Sequence, residues 1–325
     1  MSVAVWTNFD VRPEGRAILN RTLTAAGCRL LQSSNSSRSV LAAGQPDPLL
    51  AEAEVAFGQP DPADVLRYPP IRWVALSTAG YTRYDRDDFR TAMRERGTVV
   101  TNMSAVFANP CAEHLLAQML ACTRELPRHL RNQLGPRAWI YLEGRYSIQV
   151  LTGQTVIILG HGSIGRRLAE LLAPFRCRVI AVRRTPRGDP GVETITAADL
   201  PSELGVADHV VNILPDAPAT RRFCDAIFFA RMKRGAFFYN IGRGTTVDQS
   251  DLVAALASGQ LGSAYLDAFE PEPLPPDHPL WTAPNCLITP HVGGGHREQD
   301  ENLVRHFVEN LRRFECGEPL VDRIM

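Results

Sequence analysis

The feature that most constrains this chain is a short apolar run that ends in spaced glycines: Thr155-Val156-Ile157-Ile158-Leu159, then Gly160-His161-Gly162-Ser163-Ile164-Gly165. A run of this length and type reads as a buried strand, and G-x-G-x-x-G directly after it reads as the tight turn into a helix. Each glycine then has its own use. Gly160 permits the turn, Gly162 lets a pyrophosphate approach the backbone, and Gly165 lets helix and strand pack closely. The N–H groups at the helix start, around His161, Ser163 and Ile164, face the phosphate charge. Alone such a string is often a bland glycine-rich turn; the strand before it and the helix after it turn it into a dinucleotide site.

That fingerprint expects an Asp or Glu at the end of the next strand, where it holds the ribose hydroxyls of NAD. The strand Val179-Ile180-Ala181-Val182 runs instead into Arg183-Arg184-Thr185. Two guanidinium groups and a hydroxyl suit a 2′-phosphate, and no carboxylate stands there to repel it. The expected cofactor is NADP(H), with NAD(H) as the alternative if the arginines are only a solvated turn.

The rest of the chain supports an enzyme of two α/β domains. Its 325 residues exceed the size of one ordinary domain, and 45% of them are hydrophobic, enough for two cores. Lys plus Arg and Asp plus Glu both number 35, so no net charge favours nucleic acid or an anionic membrane. Seven scattered cysteines, with no C-x-x-C pair, suit reduced thiols and no metal site. The start of the chain lacks a basic, apolar leader, and no run approaches the roughly 18 apolar residues of a membrane span, so a cytoplasmic protein is expected.

Strand-like runs at 3–6, 55–57 and 73–76, and again at 155–159, 178–182, 209–214, 237–241, 264–267 and 287–289, alternate with helical stretches, which implies parallel crossovers and doubly wound sheets. Asn109-Pro110 reads as the start of a long buried helix, 127–149 as an irregular connecting surface, and Ser33–Ser39 as a Ser-rich loop. Asp248 and Gly259 read as the two ends of one helix, and Leu303, Phe307, Leu311 and Phe314 as the packed face of the last.

Three segments at strand ends downstream of the glycine turn carry ionisable groups: Asn240-Ile241-Gly242-Arg243-Gly244, Asp267-Ala268-Phe269-Glu270-Pro271-Glu272-Pro273 and Thr289-Pro290-His291-Val292-Gly293. Ligands of open parallel sheets bind beyond the carboxyl ends of the strands, so these segments are expected to converge. Together with the loop Ser77-Thr78-Ala79-Gly80-Tyr81, the set resembles the D-isomer-specific 2-hydroxyacid dehydrogenases over nearly the whole chain.

The resemblance implies that Arg243 is the substrate arginine, Glu272 the catalytic glutamate and His291 the acid/base histidine. It places Asp267 and Pro215 beside the cofactor and makes Ala79, Gly80 and Tyr81 the substrate-carboxylate loop. It further implies a Rossmann cofactor domain, 103–290, inserted into a flavodoxin-like substrate domain, 1–102 plus 291–325, with the reaction in the cleft between them, and a homodimer. The chemistry agrees: reducing a 2-oxo acid needs a hydride, a proton donor such as imidazolium and a cation for the carboxylate. Glu272 on the far ring nitrogen is expected to orient His291 and favour its charged form. Glu113 and His114 read as structural. The expected activity is NADPH-dependent reduction of a small 2-oxo acid of the glyoxylate or hydroxypyruvate type to the D-2-hydroxy acid. The alternatives are a nucleotide-sensing regulatory homologue and a formate dehydrogenase-like enzyme; the complete Arg243, Glu272 and His291 set weighs against both.

Overall fold

Apolar runs flanked by turn-forming residues become the central strands of the chain's sheets. The computed structural model describes residues 2–37, 39, 42–185 and 188–325, and the chain divides into two units, Met1–Phe107 with His296–Met325, and Ala108–Gly295. Both junctions fall five residues beyond the 102/103 and 290/291 expected from sequence.

The first unit is built on a parallel sheet of β1 (Ala4–Phe9), β2 (Arg29–Ser37), β3 (Val55–Gly58), β4 (Trp73–Leu76) and β5 (Val99–Thr101), in the order β2-β1-β3-β4-β5. This is the flavodoxin-like order. β1, β3 and β4 are buried along their whole length; β3 and β4 are continuously apolar, and β1 also buries the polar Thr7 and Asn8. The stretch Ser33–Ser37 is strand and not the loop expected from its serines. It pairs only with β1 at the sheet edge, where polar side chains are tolerated on the open side. The rest of that stretch includes Arg38, which lies outside the described residues. The last helix, Gln299–Glu315, sets Phe307 between Phe57 at 4.2 Å and Trp73 at 5.1 Å, both rings nearly parallel to it. Offset aromatic stacking of this kind adds to the large apolar area buried.

The second unit carries seven parallel strands: β6 (Thr155–Leu159), β7 (Arg178–Val182), β8 (Glu193–Ile195), β9 (His209–Asn212), β10 (Ala236–Asn240), β11 (Leu261–Leu266) and β12 (Cys286–Ile288). Their order is β12-β11-β10-β9-β6-β7-β8, so β6 lies between β7 and β9 and the chain reverses its winding there. Such a switch point opens a crevice at the carboxyl ends of the strands. The helix Gln249–Ala257 has the ends read from sequence: Asp248 accepts from the N–H groups of Ser250 and Asp251, and Gly259 has φ +66°.

Two helical readings need correction. The long helix runs Ser104–Thr123, with Pro110 inside it. It starts earlier because Asn102 accepts from the Ser104 N–H at 3.2 Å, while Asn109 donates to Glu113 and accepts from Arg167 instead of capping. Pro110 simply lacks the donor for one internal bond. Residues 127–149 are not irregular: helices Leu126–Leu134 and Tyr141–Ser147 occupy most of them. Their apolar side chains face outward, Leu134 73% exposed and Tyr146 80%, so no buried stripe marked them.

Among the described residues no helix is long and apolar enough to cross a membrane, and no group of three or more His, Cys, Asp or Glu side chains is placed to hold a metal ion. All seven cysteines are free thiols.

His209, at the start of β9, is fully buried, stacked on Phe237, with Nδ1 3.0 Å from the Tyr239 hydroxyl. Burial pushes its pKa from 6.5 down to about 4, against a smaller pull from Asp208. Between those values the unfolded chain binds the proton and the native chain does not, so stability is full above about pH 6.5 and falls as the pH drops toward 4. The loss is on the order of 3 kcal/mol across that window. Thermal melts of the wild type and of His209→Gln from pH 7.5 to 4.5 measure it: the wild type loses stability more steeply. Equal slopes contradict a buried neutral imidazole.

Candidate active site

The glycine turn is shaped by contacts that leave no room for side chains. Gly160 has φ +94°, and a Cβ there falls 3.0 Å from the Ile213 carbonyl oxygen; at Gly165 a Cβ falls 2.6 Å from the Gly160 carbonyl oxygen. Gly162 differs, because a Cβ there meets nothing within 4 Å. It stands at the N-cap of the helix Ser163–Leu172 and no side chain caps it. Two glycines close the turn and the third keeps space open before uncapped N–H groups, which fits a dinucleotide phosphate. His161 points the other way: its side chain is only 1% exposed. Pro215, three residues past β9, accepts from the Thr220 hydroxyl at 2.6 Å.

The expectation of a site free of acid beside the arginines is corrected. Asp189 places Oδ2 3.0 Å from Arg183 Nη1 and 3.0 Å from His161 Nε2. The signal is hard to read in sequence, because the acid comes six residues after Arg183, beyond a turn, and not at the strand end. Arg184 and Thr185 are exposed.

Arg243 follows β10 in a Gly-Arg-Gly turn wedged between two backbones. A Cβ on Gly242 falls 2.6 Å from the Leu214 carbonyl oxygen, and one on Gly244 falls 1.8 Å from the Phe269 carbonyl carbon. The glycines hold the turn against neighbouring loops, unlike those of a solvated surface turn. Arg243 Nη1 donates to the Gly242 carbonyl at 2.7 Å. Asn240, 1% exposed, accepts from the Gly242 N–H and donates to the carbonyls of Arg243 and Ala268. Asn212, its register partner on β9, donates to Asn240 Oδ1 and the Thr246 hydroxyl. These two positioning amides were missed from sequence, although an amide ending each of two apolar strands was visible.

Asp267, directly after β11, is 3% exposed and accepts from the N–H groups of Val292 at 2.9 Å and Gly293 at 2.8 Å, and from the Thr289 hydroxyl. Thr289 also meets the Tyr265 hydroxyl, which meets His114 Nε2. His291 sits inside this clamped segment with φ +53°, uncommon for a residue with a side chain. Its Nδ1 lies 2.9 Å from Glu272 Oε2 and 3.1 Å from Oε1. Glu272 Oε1 also accepts from the Phe269 N–H at 2.8 Å. Burial pushes the Glu272 carboxyl up, but the hydrogen bonds from His291 and Phe269 and the charges of His291 and Arg243 outweigh it and hold it below the ordinary glutamate range. Arg243 and Asp267 both act on the nearby Cys111 thiol as well, whose pKa burial pushes up to about 12, so it is no nucleophile near neutral pH. The second unit thus brings His291 and Glu272 into direct contact, and the charge of Arg243 acts on that carboxylate.

In the first unit, the loop after β4 is fixed through its carbonyls. Thr78 accepts from the Met103 N–H, Ala79 from Asn102 Nδ2 at 2.7 Å, and Gly80 from the Thr78 hydroxyl at 2.6 Å. Tyr81 packs partly buried against that unit's core.

Comparison with known proteins gives a consistent result. Residues 116–293, more than half the chain, match the NAD-binding domain of the D-isomer specific 2-hydroxyacid dehydrogenases. A glyoxylate reductase/hydroxypyruvate reductase of Homo sapiens is 35% identical over 234 residues, 70% of this chain and 70% of that protein. A glyoxylate/hydroxypyruvate reductase B of Escherichia fergusonii is 32% identical over 268 residues, 80% of this chain and 81% of that one. The crystal structure of a D-isomer specific 2-hydroxyacid dehydrogenase from Xanthobacter autotrophicus, in complex with NADPH and MES, aligns with a TM-score of 0.82 at 29% identity, covering 100% of this chain and 98% of that one.

The glycine geometry separates packing from ligand access. Gly165→Ala is expected to lower unfolding stability by about 1–3 kcal/mol, because backbone must move. Gly162→Ala stays within about 0.5 kcal/mol of wild type yet weakens nucleotide binding, because its methyl group takes up open space. Urea unfolding and nucleotide titration of both variants check this; equal destabilisation contradicts the assignment.

Proposed function

Because the chain belongs to the D-isomer specific 2-hydroxyacid dehydrogenase family, and is therefore an NAD(P)-dependent oxidoreductase, we propose that it reduces a small 2-oxo acid of the glyoxylate or hydroxypyruvate type to the D-2-hydroxy acid, with NADPH as the preferred reductant. The observation that carries this reading is the His291 and Glu272 pair, 2.9 Å apart, in the same unit as the glycine turn and next to the charge of Arg243. The names of the human and Escherichia fergusonii relatives support the substrate class, and the NADPH in the Xanthobacter structure supports the cofactor.

The bound nicotinamide supplies the hydride. The chain's own residues do the rest. With the Glu272 carboxylate on Nδ1, His291 keeps its transferable proton on Nε2 and gives it to the substrate carbonyl oxygen. Arg243 pairs with the substrate carboxylate and stabilises charge growing on that oxygen. Asp267 holds the segment bearing His291 through the Val292 and Gly293 N–H groups and would stand beside the nicotinamide carboxamide of a bound cofactor. Gly160, His161, Gly162, Ser163, Ile164 and Gly165 would hold the pyrophosphate through the turn and the helix start. Arg183, Arg184 and Thr185 take the 2′-phosphate, and Pro215 lines the nucleotide. Ala79, Gly80 and Tyr81 of the first unit bind the substrate carboxylate, which makes that unit the substrate domain and the second the cofactor domain.

The protein acts as a homodimer. The outward apolar side chains of Leu126, Leu130, Leu134, Trp139, Leu142 and Tyr146 supply a face that a second copy covers. Light scattering is expected to give twice the chain mass; a monomer contradicts it.

His291→Ala is expected to lower turnover of glyoxylate or hydroxypyruvate by about 10² to 10⁴, with the dissociation constant of NADPH unchanged. Near-normal turnover overturns the assignment of the proton donor. The same assays with NADPH and NADH test the cofactor, and a preference for NADH contradicts the proposal.

A further inference from the structure

Dinucleotide sites that take NAD place a carboxylate at the end of the second strand, and those that take NADP remove it. This chain has removed it from the strand end and restored it from a different direction. Arg183 and His161 both meet one carboxylate oxygen, Oδ2 of Asp189, at 3.0 Å. Arg183 is only 19% exposed, so this ion pair is partly shielded from water and is stronger than an ordinary surface pair.

The imidazole on the other side is the independent sign that the place is built. His161 lies inside the glycine turn with 1% of its side chain exposed, and a Cβ on Gly165 falls 3.4 Å from its Nδ1. Neither of its ring nitrogens has a hydrogen-bond partner among the described residues; Asp189 stands at ion-pair distance without the alignment of a hydrogen bond. Burial pushes its pKa down, against a smaller upward pull from Asp189, so near neutral pH the ring adds no cation. Among the described residues, the charge of Asp189 is therefore balanced chiefly by Arg183. Arg184 is exposed beside it.

We propose that Asp189 is a resident counter-ion of the 2′-phosphate clamp: it holds Arg183 while the clamp is empty, a 2′-phosphate binds by exchange with it, and Asp189 thereby sets how strongly the protein discriminates NADPH from NADH. The proposal rests on the reading of Arg183 and Arg184 as that clamp. An incoming phosphate must separate the Arg183 and Asp189 pair and tolerate a carboxylate nearby, and both effects lower its affinity. A 2′-hydroxyl meets neither cost. Asp189→Asn keeps the shape of the side chain and removes the charge, so it acts on the phosphate and spares the hydroxyl.

The test is calorimetric titration of wild type and Asp189→Asn with adenosine 2′,5′-bisphosphate and with 5′-AMP, which lack the nicotinamide half and need no turnover. The variant is expected to bind the bisphosphate about fivefold tighter or more, with 5′-AMP unchanged within about twofold, which also shows that the site is folded. In an Arg183→Gln background most of that gain disappears, because no guanidinium remains to be released. An unchanged or weaker affinity for the bisphosphate overturns the proposal. So does a selective loss of 5′-AMP affinity, which assigns Asp189 to the ribose hydroxyls, and so does a gain of full size without Arg183. A wild type that holds the two nucleotides equally, with a variant that prefers the bisphosphate, overturns the NADPH preference and leaves the counter-ion standing. A wild type that prefers the bisphosphate, with an identical variant, does the reverse. Failure of both proteins to bind either nucleotide overturns both readings.

Discussion

Asn212, Asn240 and Asp267 stand at the ends of three neighbouring strands, and the loops that carry Arg243 and His291 depend on how these buried groups are satisfied. A buried amide or carboxylate without partners costs a few kcal/mol, so each takes the hydrogen-bonding groups of the next loop. Asn240 holds Gly242, the Arg243 carbonyl and Ala268; Asp267 holds Thr289 before His291 and the N–H groups of Val292 and Gly293 after it. Arg243, Glu272 and His291 belong to three different loops that all leave the carboxyl ends of strands of one sheet.

This anchoring makes an uncommon backbone tolerable. His291 has φ +53°, which a histidine in a free loop rarely adopts, and the two N–H groups after it are both bound to Asp267. The ring is held from a second side by Glu272, whose carboxylate is itself fixed by the Phe269 N–H. An imidazole bound through backbone and ring has little freedom left, which suits the proton donor proposed for it. In the first unit the corresponding rigidity comes from packing, with Phe307 of the last helix set between Phe57 and Trp73.

Legibility in the sequence followed the physical environment of each segment. β6 and β7 read correctly to the residue because strands buried on both faces are continuous apolar runs. β2 and β8 did not, since both lie at sheet edges, where Ser33–Ser37 and Glu193 carry polar side chains that also suit loops. The helices within 126–147 escaped because their apolar residues face outward, and the start of the long helix was misplaced because Pro110 imitates a first helical turn. At the site, the glycine turn and the pairing of His291 with Glu272 were legible from their motifs. Asp189 was not, because it reaches Arg183 from beyond a turn, and nothing in a linear pattern reports that approach.

The most direct test of the account is a crystal structure of the protein with NADP and oxamate, an unreactive mimic of a 2-oxo acid. It is expected to show His291 Nε2 on the oxamate carbonyl oxygen with Glu272 still on Nδ1, and the Arg243 guanidinium on the oxamate carboxylate. Oxamate bound away from His291, or an imidazole turned from Glu272 when the ligands are in place, contradicts it.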